Sequence, residues 1–227
     1  MAKPVYLDEA GHRMVTEAVR EAELTTSGEI VTVLADRSDG YSDIALAWSV
    51  LAAFLALVFC TTFPALVLDA YAGLHGGWNT EWSDREVFAF AGGAAIFWFL
   101  ALWLLQLVPA IRFALVPGKV RTARVDERSI ALFKVGAERR THGRTGVLIY
   151  LSMREHRAEI VADDTIAARV SAEIWGEAMV DMLAHIREGR IAEGMVAGVE
   201  DVGLVLAQHF PRAEDDQNEL PDRLIEI

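Results

Sequence analysis

Two apolar runs, 44–68 and 87–115, constrain this chain more than any other feature, because each exceeds the roughly 20 residues that a helix needs to cross a hydrocarbon core. A polar loop, 69–86, links them and carries Asp69, His75, Glu81, Asp84 and Glu86 around Gly76-Gly77. The reading is a transmembrane hairpin over 44–115, with helices at about 44–68 and 87–111. Within the runs the polar atoms are few: Ser49, Thr61 and Thr62 in the first, Gln106 in the second. No ionisable group falls where a transporter or proton relay needs one, so the hairpin reads as an anchor. Gly92-Gly93, among Ala89, Ala91, Ala94 and Ala95, leaves room for close approach of the partner helix or of a second copy of the chain, and small residues also simply abound in membrane helices.

Basic residues set the orientation. Arg37 precedes the first run and Arg112, Lys119, Arg121, Arg124 and Arg128 follow the second, whereas the loop holds only Arg85. An excess of Lys and Arg marks the cytoplasmic side. The expected location is therefore the cytoplasmic (inner) membrane, with two spans and both termini in the cytoplasm. The first 43 residues lack a basic segment followed by a short apolar core, so no cleaved signal peptide is expected. A net charge of −12 argues against a nucleic-acid phosphate backbone as partner. The single cysteine, Cys60, excludes a disulfide within the chain.

The segments on either side of the hairpin read as two parts of one α/β domain, 5–36 and 120–211. Asp8 caps a helix to about Glu23, in which Leu7, Met14, Val15, Ala18, Val19 and Ala22 recur at helical spacing. Residues 29–35 (EIVTVLA) form a buried strand, and helical spacing resumes over about 122–140. Residues 145–152 and 158–162 make a hairpin of a central and a more exposed strand. Helices are expected over 171–188 and 191–210, separated by Gly189. The stretch 212–227, rich in acids, reads as a mobile, solvated tail.

A long crossover joins the first strand to the second, so the two should be parallel. That topology brings Thr26, Ser27, His142, Arg144, Asp163 and Asp164 to one edge of the sheet. Asp163 and Asp164 beside hydroxyls and cations suggest a calcium or magnesium site, with Arg144, His142, Thr26 and Ser27 as ligand-binding candidates. The plainer reading is that Asp163 ends a strand, Asp164 caps the next turn and Arg144 pairs with one of them.

Three segments resemble the TPM domain family: 26–31 (TSGEIV), 143–150 (GRTGVLIY) and 155–163 (EHRAEIVAD). The resemblance implies an α/β/α sandwich with a small mixed sheet, interrupted here by the hairpin, in a bacterial membrane-anchored branch. It further implies either a binding, assembly or maintenance module for membrane proteins or a metal-assisted, acid-phosphatase-like phosphomonoester hydrolase. The expected partners are membrane proteins, the bilayer and a further copy of the chain.

Overall fold

The computed structural model describes residues 5–75, 82–136, 145–213 and 218–227. It separates into two compact units, 1–39 with 119–227, and 40–118.

In the first unit, helix α1 (Glu9–Glu23) begins where the Asp8 side chain accepts the Gly11 N–H, as the sequence predicts. Strand β1 (Glu29–Ala35) follows, buried along its whole length. Helix α6 (Gly118–Gly136), strands β2 (Gly146–Ser152) and β3 (Arg157–Ala162), the short α7 (Asp164–Ala167), and helices α8 (Ala172–Arg187) and α9 (Ile191–His209) complete the expected elements. The sheet runs β3-β2-β1-β4, with β1 and β2 parallel and β2 and β3 antiparallel. Alternation along β1 and β2 divides two cores. Ile30, Leu34, Val147, Ile149 and Leu151 meet α1, α8 and α9 through Val15, Val19, Met182, Met195 and Val199. Val31, Val33, Leu148 and Tyr150 meet α6 through Val125 and Phe133 on the opposite face. The fold is the expected α/β/α sandwich around a small mixed sheet.

The C-terminal stretch corrects one expectation. Residues 212–227 read as a mobile tail, yet Ile225–Glu226 is strand β4, parallel to β1 at Val33↔Ile225 and Leu34↔Glu226. Leu220 and Leu224 are buried, and Ile227 continues the ladder by donating to the Leu34 carbonyl and accepting from Asp36. The physical reason is the open edge of β1: its unpaired backbone groups and adjoining apolar faces are satisfied by a segment too short to show periodicity. A small apolar minority among acids is enough.

The second unit holds α2 (Ser42–Thr62), α3 (Pro64–His75), α4 (Asp84–Leu105) and α5 (Pro109–Leu115). Each apolar run is therefore two helices rather than one, and α3 occupies part of the stretch 69–86 expected as loop. Pro64 and Pro109 are the cause, since each opens a new helix at a position where its missing N–H breaks no bond, and neither continues the preceding one. Ser83 and Glu86 form a reciprocal capping box at the start of α4. Two helices, Ser42–Thr62 and Asp84–Leu105, are long and apolar enough to cross a membrane. They pack on each other around Gln106, which is 1% exposed and donates from Nε2 to the Ala45 carbonyl, to Ser49 Oγ and to the Leu102 carbonyl. The Thr61 and Thr62 hydroxyls return to the Val58 carbonyl of their own helix. Replacing Gln106 by Leu should weaken α2–α4 association by about 1 kcal/mol, the scale of buried polar contacts between apolar helices. Energy transfer between dyes on the two helices of the full chain, followed through a detergent titration, measures it.

Candidate functional site

Register places the expected site residues. Glu29 pairs with Gly146 and Val147 with Ala162, so residues 26–28, 145–146 and 163 meet at the edge where β1 and β2 begin and β3 ends. Thr26, 1% exposed, donates from Oγ1 to the Phe210 carbonyl at 2.6 Å and accepts the Gly28 N–H at 3.0 Å. Ser27 Oγ accepts the Ala213 N–H at 2.9 Å and reaches the Pro211 carbonyl at 3.4 Å. Thr145 Oγ1 donates to the Ser27 carbonyl at 2.8 Å, locking the starts of the two parallel strands together.

Asp163 is buried and takes the Gly146 N–H on Oδ2 at 3.0 Å. It stands at the N-cap position of α7, where its carbonyl accepts from Ile166 and Ala167 while its side chain makes no capping bond. Asp164 is exposed at the first position of α7. Thr26, Ser27 and Asp163 are thus brought to one edge and Asp164 beside it. His142 and Arg144 lie outside the described residues. Among the described residues no three His, Cys, Asp or Glu side chains group closely enough to hold a metal ion. A hard cation such as calcium takes six to eight oxygens, and here Asp163 gives one oxygen to a backbone amide while both hydroxyls already serve backbone groups. The described residues do not fit a calcium or magnesium cage by themselves.

Two buried carboxylates at this edge are not evident from the sequence. Glu23, at the end of α1, accepts the Ile30 N–H at 2.9 Å and the Asn218 amide at 3.2 Å. Glu29 accepts the Glu219 and Leu220 N–H groups at 3.3 and 3.2 Å. Glu23, Glu29 and Asp163 each receive a backbone N–H, so these carboxylates fasten chain segments to the sheet. The only sequence signal is an acid directly at the start of an otherwise apolar strand.

A second polar layer, also unforeseen, lies where β1 and β2 end. Ser38 Oγ meets Tyr150 Oη at 2.9 Å and Ser152 Oγ at 3.0 Å, and Ser152 donates to Glu155 at 2.5 Å. Glu155, 2% exposed, also takes the Ser38 N–H at 3.1 Å. Burial, with the nearby Glu155 charge, pushes the Tyr150 hydroxyl up against the opposing bonds from Ser38 and Ser152. Beside it Tyr6 donates to Asp36 at 2.5 Å and Arg154 Nε donates to the same oxygen at 2.9 Å. The carboxyl ends of parallel strands are where open α/β sheets bind ligands, so the usable signal was the run of Ser38, Tyr150 and Ser152 at strand ends.

Partial burial, together with the hydrogen bond to Asp36 and its charge, pushes Tyr6 up from 10.0 to about 12. Burial alone would raise Asp36, but the bonds from Tyr6 and Arg154 override it and hold the carboxyl below its usual range. The signs differ. A raised Tyr6 stabilises the fold fully below pH 10 and loses that contribution as pH climbs from 10 to 12, because the unfolded chain releases the proton first. A lowered Asp36 stabilises above its unfolded value of 3.8 and loses its contribution as pH falls through the folded value. The stability difference between the native chain and Tyr6→Phe should accordingly shrink between pH 10 and 12, read from paired urea midpoints.

These features define a class: an α/β/α domain with a small mixed sheet, interrupted after its first strand by helices apolar enough to span a membrane. A family model described as TPM domain matches residues 111–205, from within α5 to within α9, which bears out the resemblance read from the sequence at the level of the family and over the segments 143–150 and 155–163. The fold is similar to the NMR structure of BA42 protein from the psychrophilic bacterium Bizionia argentinensis sp. nov., with a TM-score of 0.57, 19% identity and full coverage of both chains. No curated protein matches the chain.

Proposed function

We propose that this TPM-domain protein is anchored in the cytoplasmic membrane by α2 and α4 and works on the cytoplasmic side as a binding, assembly or maintenance module for other membrane proteins. The observation that carries the reading is the outer surface of the two long helices. Phe54, Ile96 and Phe97 are each 62% exposed, and Leu55, Phe88, Trp98 and Leu104 join them. An apolar surface of this extent needs lipid or another apolar body over it. Residues 44–62 and 87–105 carry no charged side chain, which suits an anchor and supplies no path for an ion. The Lys and Arg excess outside the runs supports cytoplasmic termini. At Gly92 and Gly93 an added Cβ would meet nothing within 4 Å, so α4 has a face open to close approach by a partner helix or a second copy. The buried acids of the sheet edge support the non-catalytic reading, since each takes a backbone N–H.

Two assays on the full chain in lipid nanodiscs test it. Membrane proteins retained at fixed stoichiometry from mild-detergent extracts, and released when Gly93 is replaced by Ile, are the expected result. Turnover of p-nitrophenyl phosphate that requires calcium or magnesium and is abolished by Asp163→Asn would overturn the reading in favour of a hydrolase.

A further inference from the structure

Between edge strand β3 and the second half of α8 lies a cleft of about 520 Å³, within the size range of small-molecule sites. Its floor is formed by Met153, Ala158, Met179, Leu183, Ile186 and Ile191, all half-buried. The methionines add adaptable, polarisable surface of the kind that accommodates flexible apolar ligands. Ser152 is the one hydroxyl in the lining, and it is already committed to Glu155. The floor therefore has no side-chain group left over to recognise a sugar, a base or a peptide amide.

The rim has a different character. His156, Arg157 and Arg187 are exposed at the cleft, and no Asp or Glu is among its lining residues. In a chain of net charge −12 such a one-signed rim stands against the general field of the molecule. His156 holds its place in the tight β2–β3 turn through a left-handed backbone with φ of +51°. Arg157 borders the cleft but turns toward α6, where Nε reaches Thr122 Oγ1 at 3.4 Å, and it also reaches the His156 carbonyl at 3.3 Å. Arg187 lies in the last turn of α8, where the helix end itself disfavours an anion, so a negative group would have to sit out at the guanidinium rather than against the helix carbonyls.

An apolar trough closed at one side by cations matches a molecule with one apolar chain and one anionic head. We propose that this cleft binds a long-chain carboxylate, a free fatty acid, with the acyl chain along Met179, Leu183 and Ile186 and the carboxylate at Arg187. The assignment does not depend on the role proposed for the apolar helices, because every residue it uses belongs to the α/β unit.

The test uses the full chain in nanodiscs of uncharged phosphatidylcholine, with laurate carrying a 13C carboxyl as probe and empty nanodiscs subtracted. One saturable equivalent per chain is expected, with a shifted carboxylate resonance. Arg187→Glu lies on the surface and leaves the core intact, and it should weaken binding about tenfold, the scale of a lost charge-assisted contact. Leu183→Lys, placed on the floor, should abolish the saturable signal. Dodecyltrimethylammonium, of equal chain length and opposite charge, should not compete. Binding that is not saturable above the empty-disc background, that is unchanged in Arg187→Glu, or that the cationic amphiphile displaces equally well would overturn the proposal. Displacement of laurate by an acidic peptide with no acyl chain would instead make the cleft a peptide site and equally overturn it.

Discussion

Truncating the chain before Asn218 is expected to abolish cooperative folding of the α/β unit. The removed segment fills the open edge of β1 with β4 and buries Leu220 and Leu224, 3% and 5% exposed. Burial of two leucines contributes about 4 kcal/mol. The Glu219 and Leu220 amides and the Asn218 side chain also leave, so Glu29 and Glu23 lose donors inside a nearly dry edge. A lost hydrogen bond to a buried charge costs a further roughly 1–3 kcal/mol. The sum approaches the whole stability of an ordinary domain, about 5–15 kcal/mol. Urea unfolding followed by near-ultraviolet circular dichroism in the full chain and the truncated one measures the effect. Unchanged midpoints would mean that the segment is the solvated tail its composition suggests.

The second large effect is expected at Gly194. Helices α8 and α9 turn back on each other at Gly189, whose φ of +81° favours glycine, and they then run at close range. A Cβ on Gly194 would stand 2.6 Å from Ile186 Cγ1 and 2.8 Å from the Met182 carbonyl oxygen. The second contact is with backbone, which has no rotamer to move, so one helix must shift. Gly194→Ala should cost about 3 kcal/mol, at the upper end of ordinary overpacking. Gly198→Ala meets the flexible Met182 sulfur at 2.8 Å and should cost less. Gly176→Ala, on α8 with nothing within 4 Å, should be neutral or stabilise by up to about 1 kcal/mol through helix propensity. Unfolding midpoints of the three variants in the same detergent test that order, and equal losses at Gly194 and Gly176 would show that close packing is not the cause.

These two predictions rest on features of opposite legibility. Strand β1 could be bounded to the residue from the sequence, because seven buried positions between Gly28 and a polar turn read as one continuous apolar run. Asp8 was recognisable as a cap because a short acceptor preceded a clear helical stripe. The pairing of β1 with β2 followed from the length of the crossover alone. Strand β4 was hidden because two residues have no period and their partner is defined only once β1 has an edge. The breaks at Pro64 and Pro109 were overlooked for a related reason: hydropathy averages over a run, whereas a proline acts at one backbone position.

The candidate site divides in the same way. Topology was enough to bring Thr26, Ser27 and Asp163 to a common edge, since strand direction fixes which ends meet. Their hydrogen-bond partners could not be foreseen, because Phe210, Pro211 and Ala213 come from the far end of α9 and its exit. Glu155 lies between the two expected strands and is 2% exposed, held by Ser38 from a segment 117 positions away. Burial of a polar residue is decided by such distant partners, and local composition carries little of that information.

The proposal with the widest consequences is that the TPM-like domain faces the cytoplasm and is split by a hairpin that crosses the membrane. Its most direct test is cysteine accessibility in whole cells, using the full chain with Cys60→Ser and single cysteines at Arg85, before α4 enters its apolar run, and at Glu177, on the exposed side of α8. A membrane-impermeant maleimide should label Arg85→Cys in intact cells, and Glu177→Cys only after the inner membrane is opened. Labelling of both positions in intact cells, or of Glu177→Cys alone, would contradict the account.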